Sequence, residues 1–177
     1  MTTIAYRDGF LACDSLISMT DNLFYTEKYL ITEKSVWGFA GCRGNVLLFI
    51  EWLNSGMDRK ALPAIAKDDG FSAIQIDRSD LTVSVWFSPQ LIAQRVNVNH
   101  EAIGSGGSMA MGAMGFGASA QEAVEVASHH DVYTGGPIHV IDVKAGKLLA
   151  QETVTADDPP SCILDAMNEV PPEENPC

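Results

Sequence analysis

Short apolar runs separated by polar turns open the chain, a pattern typical of β-strands. In residues 1–15, two such runs flank the pair Asp8-Gly9. An Asp-Gly pair between apolar runs favours a β-hairpin with a two-residue turn, because both turn positions require a positive φ. The pattern therefore predicts a hairpin with Thr2 at its open end, followed by a polar connection over residues 16–22.

Further short runs of aliphatic, aromatic and β-branched residues predict more strands. In residues 81–87, the apolar residues Leu81, Val83, Val85 and Phe87 occupy alternate positions, as in a strand that buries one face. The other predicted strands are residues 23–32, which contain Lys28, and residues 35–40, 71–77, 91–96, 103–107, 137–143 and 147–153. We expect them to form antiparallel sheets, because short turns connect many of them.

Apolar residues spaced by three and four predict helices in two parts of the chain. In residues 42–55, Val46, Phe49, Ile50 and Leu53 form one apolar stripe. A second, short helix is predicted over residues 59–67. Two more helices are predicted later in the chain. The first covers residues 108–116, which are rich in Ala, Met and Gly. The second is longer, and its N-cap Ser119 and the residue three positions later, Glu122, form a capping box.

The order of these elements is strands, two helices, strands, two helices and strands. It predicts an α+β fold in four layers, an αββα sandwich with two antiparallel sheets between helix pairs. The chain has 177 residues, 46% of them apolar, and is long enough for one domain with a substantial core. We assign residues 2–154 to that domain and the acidic, proline-rich residues 155–177 to a C-terminal extension on the surface or disordered.

Charge and composition argue against several classes of protein. Eleven basic and 23 acidic side chains give a net charge of −12, which argues against a nucleic-acid surface. No apolar run approaches the roughly 20 residues of a membrane span, and the start of the chain lacks the pattern of a secretory signal, so we expect a cytoplasmic protein. Adjacent residues point to different sides of a helix, so His129-His130 is interpreted as the end of a helix and not as a pair of metal ligands.

The four cysteines have neither metal-ligand spacing nor histidines close to them in sequence, and we expect reduced thiols and no metal site. They are Cys13, Cys42, Cys162 and Cys177.

Thr2 has two interpretations. In the first, Thr2-Thr3 is a β-branched start to a strand, and the presence of Met1 has no consequence. In the second, methionine aminopeptidase removes Met1, as expected when the next residue is small. The exposed threonine then carries a nucleophilic hydroxyl and an α-amine whose pKa, about 7.7 to 8.0, lets it accept the hydroxyl proton near neutral pH.

Five features taken together favour the second interpretation. They are Thr2, Asp14-Ser15, Lys28, the Gly-Ser-Gly-Gly of residues 104–107, and the Asp-Val-Tyr-Thr-Gly-Gly of residues 131–136. In this order and spacing they resemble the β-type subunits of the proteasome and the bacterial HslV-type protease, which are N-terminal nucleophile hydrolases. The resemblance runs from Thr2 to about residue 143.

The resemblance implies a role for each of these residues. Thr2 would be the nucleophile. Lys28 would lower the pKa of its hydroxyl and relay a proton, and Asp14 would pair with Lys28. By itself Lys28 would be interpreted as a solvated strand lysine. In the register of a two-residue turn, Asp14 lies opposite Thr3, so a bulge or twist must bring it to Thr2.

Further roles concern the amine and the substrate. Ser105 and Asp131 would orient the amine, and Thr134 occupies the position where proteasome subunits usually carry serine. By themselves, residues 104–107 would be interpreted as a sharp strand-to-helix turn. The backbone N–H of Gly41 would form the oxyanion hole, and Ser18 and Gly41 would bind the substrate backbone as an added strand. Side-chain preference would come from a pocket near Phe39 and Arg43.

The resemblance implies a self-compartmentalising threonine endopeptidase that cleaves unfolded polypeptides inside stacked homo-oligomeric rings and needs no cofactor. Six-fold and seven-fold relatives share the motifs, and family members are often fed by an ATP-dependent unfoldase. The chain departs from the family in a shorter first hairpin, one residue fewer between Lys28 and Gly41, and the acidic tail. Two alternatives remain: a non-catalytic ring protein that retains Met1, and an N-terminal nucleophile amidohydrolase acting on small amides.

Overall fold

The computed structural model describes residues 2–19, 22–65 and 70–153, and the predicted extension over residues 155–177 lies outside them. The strands are β1 Thr3–Arg7, β2 Phe10–Cys13, β3 Leu16–Met19, β4 Asn22–Tyr25, β5 Tyr29–Ile31, β6 Ser35–Gly41, β7 Phe71–Asp77, β8 Val83–Phe87, β9 Ile92–Val96, β10 His100–Gly104, β11 Pro137–Asp142 and β12 Lys147–Thr153. The helices are α1 Arg43–Asn54, α2 Gly107–Gly115 and α3 Ala120–His130, with a 3-10 turn over Arg59–Ala61.

The first hairpin is confirmed. Asp8 and Gly9 have φ values of 49° and 92°, the left-handed values that a two-residue turn between twisted strands requires. Pairing begins at Arg7 with Phe10 and continues to Ile4 with Cys13. The start of β1 therefore lies beside the end of β2.

Two five-stranded antiparallel sheets form the body of the protein. The first has the strand order β10-β1-β2-β11-β12, and the second has the order β5-β6-β7-β8-β9. A separate two-stranded sheet pairs β3 with β4. The predicted antiparallel sheets are confirmed. The two strands of the first hairpin, β1 and β2, lie in the interior of the first sheet.

The apolar residues of the two large sheets meet in one cluster. It includes Ile4 and Leu11 from the first sheet, and Val36, Ile74 and Val83 from the second. All five side chains are at most 1% exposed. Gly38 allows a close approach, since a Cβ there would lie 2.6 Å from a methyl group of Ile4. The sheets therefore pack face to face.

Each sheet also packs against helices on its other face. Small residues, among them Ala5, Ala12, Ala110 and Ala123, lie between the first sheet and helices α2 and α3. Large aromatic residues lie between the second sheet and α1. They are Trp37, Phe39, Phe49, Trp52, Phe71 and Trp86. Among the described residues, α1 is the one α-helix that contributes to this cluster, where a pair of helices was predicted.

Several predicted boundaries are wrong. Residues 16–22 contain β3 instead of a polar connection, because Leu16 and Ile17 pair with β4. In the described part of the second predicted helix, residues 59–65, the structure has a 3-10 turn over Arg59–Ala61, because Pro63 has no N–H to continue a helix. Residues 66 and 67 of that prediction lie outside the described ranges. Lys28 lies in the connection between β4 and β5 instead of on a strand.

Other predictions are confirmed. Helix α1 lies within residues 42–55, although its fully buried face is formed by Asn45, Phe49 and Trp52. Helix α3 begins at the predicted capping box, with both hydrogen bonds between Ser119 and Glu122 present. His129-His130 ends α3. Within the three described ranges, no helix is both long enough and apolar enough to span a membrane.

Candidate active site

Antiparallel pairing brings the ends of several strands to one place. Thr2 precedes β1, and the start of β1 lies beside the end of β2 on one side and the end of β10 on the other. The start of β11 lies beside the end of β2. The residues at these ends, Asp14, Ser105 and residues 131–136, therefore converge on Thr2 although more than 100 residues separate some of them.

Asp14 is fully buried and accepts hydrogen bonds from four parts of the chain. Its Oδ1 accepts from the backbone N–H of Thr3 at 2.9 Å and from Lys28 Nζ at 3.0 Å. Its Oδ2 accepts from Lys28 Nζ at 3.0 Å, Leu16 N–H at 3.2 Å and Gly135 N–H at 3.1 Å. As predicted from the turn register, Asp14 lies opposite Thr3. It contacts the segment next to Thr2 through the N–H of Thr3.

Lys28 forms a buried ion pair with Asp14, and its side chain is 6% exposed. Its Nζ also donates to the carbonyl of Leu16 at 2.5 Å. Burial lowers the pKa of Lys28, while the charge of Asp14 opposes that change. Burial likewise raises the pKa of Asp14, against the attraction of Lys28. A lysine whose pKa is lowered gives up a proton more readily, which suits a proton relay.

Ser105 connects Thr2 to Asp131. Its Oγ lies 3.3 Å from Thr2 N, which donates to it, and 2.5 Å from Asp131 Oδ2, to which it donates. Asp131 also accepts from the Thr134 hydroxyl at 2.8 Å. Burial acts to raise the pKa of Asp131, but hydrogen bonds from Ser105, Thr134 and the Tyr133 N–H outweigh it and hold that pKa below its usual range. Asp131 is therefore an anionic anchor for Ser105.

Thr134 contacts Thr3 and Asp131. Its hydroxyl lies 2.6 Å from the hydroxyl of Thr3, so it orients Thr3 and Asp131, and Ser105 makes the hydrogen bond with the backbone nitrogen of Thr2. Gly106 leaves room for this arrangement, since a Cβ there would collide with the Thr3 hydroxyl. Sequence reasoning did not find Thr3, and only its adjacency to Thr2 could have pointed to it.

A cavity of about 400 Å³ opens beside Thr2. The predicted residues Lys28, Ser18, Gly41, Phe39 and Arg43 all line it. The remaining lining residues are Ile17, Thr26, Glu27, Cys42, Gly44 and Val46. The cavity thus lies between β3, the β4–β5 connection, the end of β6 and the start of α1, and Glu27 and Thr26 were not found from the sequence.

Gly41 is required at the end of β6. Its φ is 123°, and a Cβ would collide with the backbone of Gly70. Any other residue would therefore displace the strand end beside Thr2. The other seven predicted catalytic and backbone-binding residues lie near Thr2. Lys28, Ser18 and Gly41 line the cavity, and Asp14, Ser105, Asp131 and Thr134 belong to the hydrogen-bonded network. Among the described residues, no group of three His, Cys, Asp or Glu side chains could hold a metal ion.

Comparisons with known proteins rest on structure. No protein-family model and no curated protein matches the sequence. The Anbu Gly-1 mutant from Hyphomicrobium sp. strain MC1 is similar in structure, with a TM-score of 0.66 and 12% identity over 96% of this chain and 97% of that one. Two further similar structures cover less of this chain.

The first of these is Thiobacillus denitrificans BPH in complex with epoxomicin, with a TM-score of 0.57 and 16% identity over 79% of this chain and 96% of that one. The second is eukaryotic HslV from Trypanosoma brucei, with a TM-score of 0.58 and 16% identity over 80% of this chain and 98% of that one. The chain therefore has the mixed α and β fold of proteasome-like proteins such as Anbu and HslV.

Proposed function

We propose that this protein is a threonine endopeptidase whose nucleophile is Thr2, exposed by removal of Met1. The observation that supports the proposal best is the position of Thr2: it lines a cavity together with Lys28, and Lys28 forms a buried ion pair with Asp14. A buried lysine that lines the same cavity as the proposed threonine nucleophile is consistent with activation of its hydroxyl.

In the proposed reaction, the hydroxyl oxygen of Thr2 attacks the carbonyl carbon of a peptide bond. The free α-amine of Thr2 accepts the hydroxyl proton and passes it to the leaving nitrogen as the carbon–nitrogen bond breaks. An ester between Thr2 and the acyl fragment remains. The same amine then takes a proton from water, whose oxygen attacks the ester, and the proton returns to the hydroxyl of Thr2.

The other site residues support these steps. Lys28 places a positive charge near the hydroxyl and lowers its pKa, and Asp14 fixes Lys28. Ser105, held by Asp131, accepts a hydrogen bond from the nitrogen of Thr2 and so orients the future amine. The N–H of Gly41 would stabilise the oxyanion, which can contribute about 3 to 4 kcal/mol. Ser18 and Gly41 would hold the peptide as an added strand.

Larger features of the proposal concern architecture and assembly. We assign residues 2–154 to one four-layer αββα domain of the N-terminal nucleophile type, supported by the three apolar clusters. Stacked homo-oligomeric rings would enclose the sites. Large apolar side chains exposed on β4 and α1 support such an assembly, because their burial between copies of the chain would be favourable. They are Leu23, Phe24, Tyr25, Leu47 and Leu48.

Unfolded polypeptides are the proposed substrates, since a closed chamber admits only extended chains. An ATP-dependent unfoldase is the partner that such a chamber would need for folded substrates. An electron micrograph of the purified protein tests the ring and gives its symmetry. The cytoplasmic location stays a prediction.

The decisive experiment is a mass measurement. Intact mass should show the loss of Met1, and incubation with epoxomicin should then add the mass of one inhibitor per chain, because the adduct needs both the hydroxyl and the amine of Thr2. Epoxomicin is chosen because it is bound in the Thiobacillus denitrificans BPH structure.

Thr2→Ala is the matched control for the mass experiment, and it should assemble normally but neither cleave peptides nor react. Retention of Met1 in assembled protein would support the non-catalytic ring protein. Cleavage of small amides without cleavage of peptides would support the amidohydrolase.

A further inference from the structure

Thr3 is a residue of the site to which the proposed reaction assigns no part. It is the first residue of β1 and is fully buried, with 0% of its surface exposed. Its backbone N–H donates to Asp14 Oδ1 at 2.9 Å. Its hydroxyl lies 2.6 Å from the hydroxyl of Thr134, which donates to Asp131 Oδ2 at 2.8 Å. Thr3 therefore lies between the two carboxylates of the site, Asp14 and Asp131.

The direction of each hydrogen bond follows from the number of hydrogens available. The bonds that hold the pKa of Asp131 below its usual range keep it ionised near neutral pH, and a carboxylate accepts hydrogen bonds without donating. A hydroxyl has one hydrogen, and Thr134 gives its hydrogen to Asp131. Thr134 can then only accept from Thr3, so the Thr3 hydroxyl is the donor in the 2.6 Å contact.

The same argument orients Ser105. Its hydroxyl hydrogen goes to Asp131 Oδ2 at 2.5 Å, since the carbonyl of Thr2 is farther away, at 3.4 Å. Ser105 Oγ therefore accepts from the nitrogen of Thr2 and does not donate to it. In this structure that nitrogen belongs to the peptide bond with Met1. After removal of Met1 it would be an amine, and Ser105 would leave its lone pair to accept the hydroxyl proton of Thr2.

Packing holds the Thr3 hydroxyl against Thr134. A Cβ on Gly106 would collide with the Thr3 hydroxyl and would lie 3.2 Å from the Thr134 hydroxyl and 2.9 Å from the Cβ of Ala127. The lack of a side chain at Gly106 thus lets β1, the start of α2 and the helix α3 meet around one oxygen. Threonine is β-branched and has few accessible χ1 rotamers, so this hydroxyl does not turn away easily.

The position of Asp131 depends on the two hydroxyls that donate to its Oδ2. Without a donor of its own, the Thr134 hydroxyl would be less polarised and less firmly oriented, and the carboxylate could shift. We propose that Thr3 is a positioning residue for the proposed reaction. Its hydroxyl holds Thr134, and Thr134 holds Asp131. Asp131 in turn fixes Ser105, which directs the amine of Thr2.

This inference rests on the proposed function, and two variants of Thr3 test it. Thr3→Ser and Thr3→Ala both lack the γ-methyl group, so they differ only in the hydroxyl. With a fluorogenic peptide, kcat of Thr3→Ala should be about tenfold or more below that of Thr3→Ser, because a small displacement of a reacting group can cost that much. KM should be the same for both, since the described lining of the cavity does not include Thr3.

The same pair of variants is then compared in a Thr134→Ala background. There the two kcat values should agree within about twofold, because the hydroxyl through which Thr3 acts is gone. Thr82→Val is the control for the loss of a threonine hydroxyl and should leave kcat unchanged. Thr82 contacts Asp77, at the other end of the second sheet from Gly41. Each kcat is expressed per chain that epoxomicin labels after prolonged incubation, so unfolded chains are not counted.

Equal kcat values for Thr3→Ser and Thr3→Ala would overturn the inference, as would a difference that persists in the Thr134→Ala background. Loss of the fold in Thr3→Ala, measured by circular dichroism, would make the hydroxyl a structural group and would also overturn it. In each case epoxomicin would still label Thr2 of the wild type, and the proposed function would stand. If the wild type neither cleaves peptides nor reacts with epoxomicin, the proposed function fails and the inference fails with it.

Discussion

The carboxylate of Asp14 organises the site at the scale of single residues. It accepts from Thr3, Leu16, Lys28 and Gly135, which belong to four different segments. Two charges in a buried pair are costly to separate, because the remaining charge lacks both its partner and water. The ion pair between Asp14 and Lys28 should therefore affect both stability and catalysis, and the two effects can be measured apart.

Lys28→Met keeps most of the side-chain volume and removes the charge. Peptide cleavage should fall by about 100-fold or more, because the hydroxyl of Thr2 loses its cationic neighbour. Urea unfolding should show a loss of roughly 3 kcal/mol, since Asp14 remains buried without Lys28. Lys34→Met, in an exposed turn, is the control, and it should change neither the rate of peptide cleavage nor the free energy of unfolding.

The double variant Asp14→Asn/Lys28→Met separates the two roles. It removes the unpaired charge, so stability should recover in part while cleavage stays lost. Cleavage at the wild-type rate in the single variant would show that Lys28 is not part of the catalytic machinery.

Part of the site was predictable from the sequence. The resemblance to a known family pointed to Thr2, Lys28 and Asp131, and the two-residue turn predicted Asp14 opposite Thr3. The hydrogen bond between Thr3 and Thr134 was not predictable, because it joins residues 131 positions apart and depends on how α3 ends. The catalytic roles themselves stay predictions.

The elements were predicted best where local chemistry determines them. The Asp-Gly turn and the capping box of α3 depend on neighbouring residues, and both are present. Strand β3 was missed because its pairing with β4, not its composition, makes it a strand. In α1, Asn45 and Trp52 replace part of the predicted apolar stripe on the buried face, since the aromatic cluster on the second sheet selects that face.

Gly38 provides a test of how closely the two sheets pack. A Cβ at this position would lie 2.6 Å from a methyl group of Ile4 and 3.1 Å from one of Ile74. Gly38→Ala should therefore force the sheets apart and lower the free energy of unfolding by about 2 kcal/mol, as in other overpacked cores. The measurement is urea unfolding followed by tryptophan fluorescence.

Gly112→Ala is the matched control for Gly38. Gly112 lies in α2, and within the described part of the chain no neighbouring atom lies within 4 Å of the position that its Cβ would take. The substitution should stabilise the protein by up to about 1 kcal/mol, because alanine is the better helix former. If Gly38→Ala changed the free energy of unfolding by the same amount as Gly112→Ala, the two sheets would be able to separate without a loss of stability.

At the scale of the whole molecule, the space between the sheets contains a histidine. His139 is 6% exposed, and its ring meets Tyr29 edge-on with centroids 5.4 Å apart. Its Nδ1 makes no hydrogen bond to any residue that the structure describes. Burial lowers the pKa of His139, against the attraction of Glu27 and Asp14. The folded protein therefore takes up this proton at a lower pH than the unfolded chain does.

Stability should consequently fall as the pH is lowered from 7 to 5. The unfolded histidine, with a pKa near 6.5, binds a proton in that range while the folded one resists it, which favours unfolding. His139→Phe removes this contribution and should make the decrease smaller by about 1 kcal/mol over the two pH units. Urea unfolding at pH 7, 6 and 5 measures it, and equal slopes for both proteins would contradict the assignment.

The hydrogen bonds of the site join residues from opposite ends of the chain. Thr2 and Ser105 are 103 positions apart, and Asp14 and Gly135 are 121 apart. Synthesis proceeds from Thr2 towards Gly135, so Ser105 follows the proposed nucleophile by 103 positions. The proposed activity should therefore appear only after the segment that contains Ser105, Asp131 and Gly135 has been added and has folded onto the first hairpin.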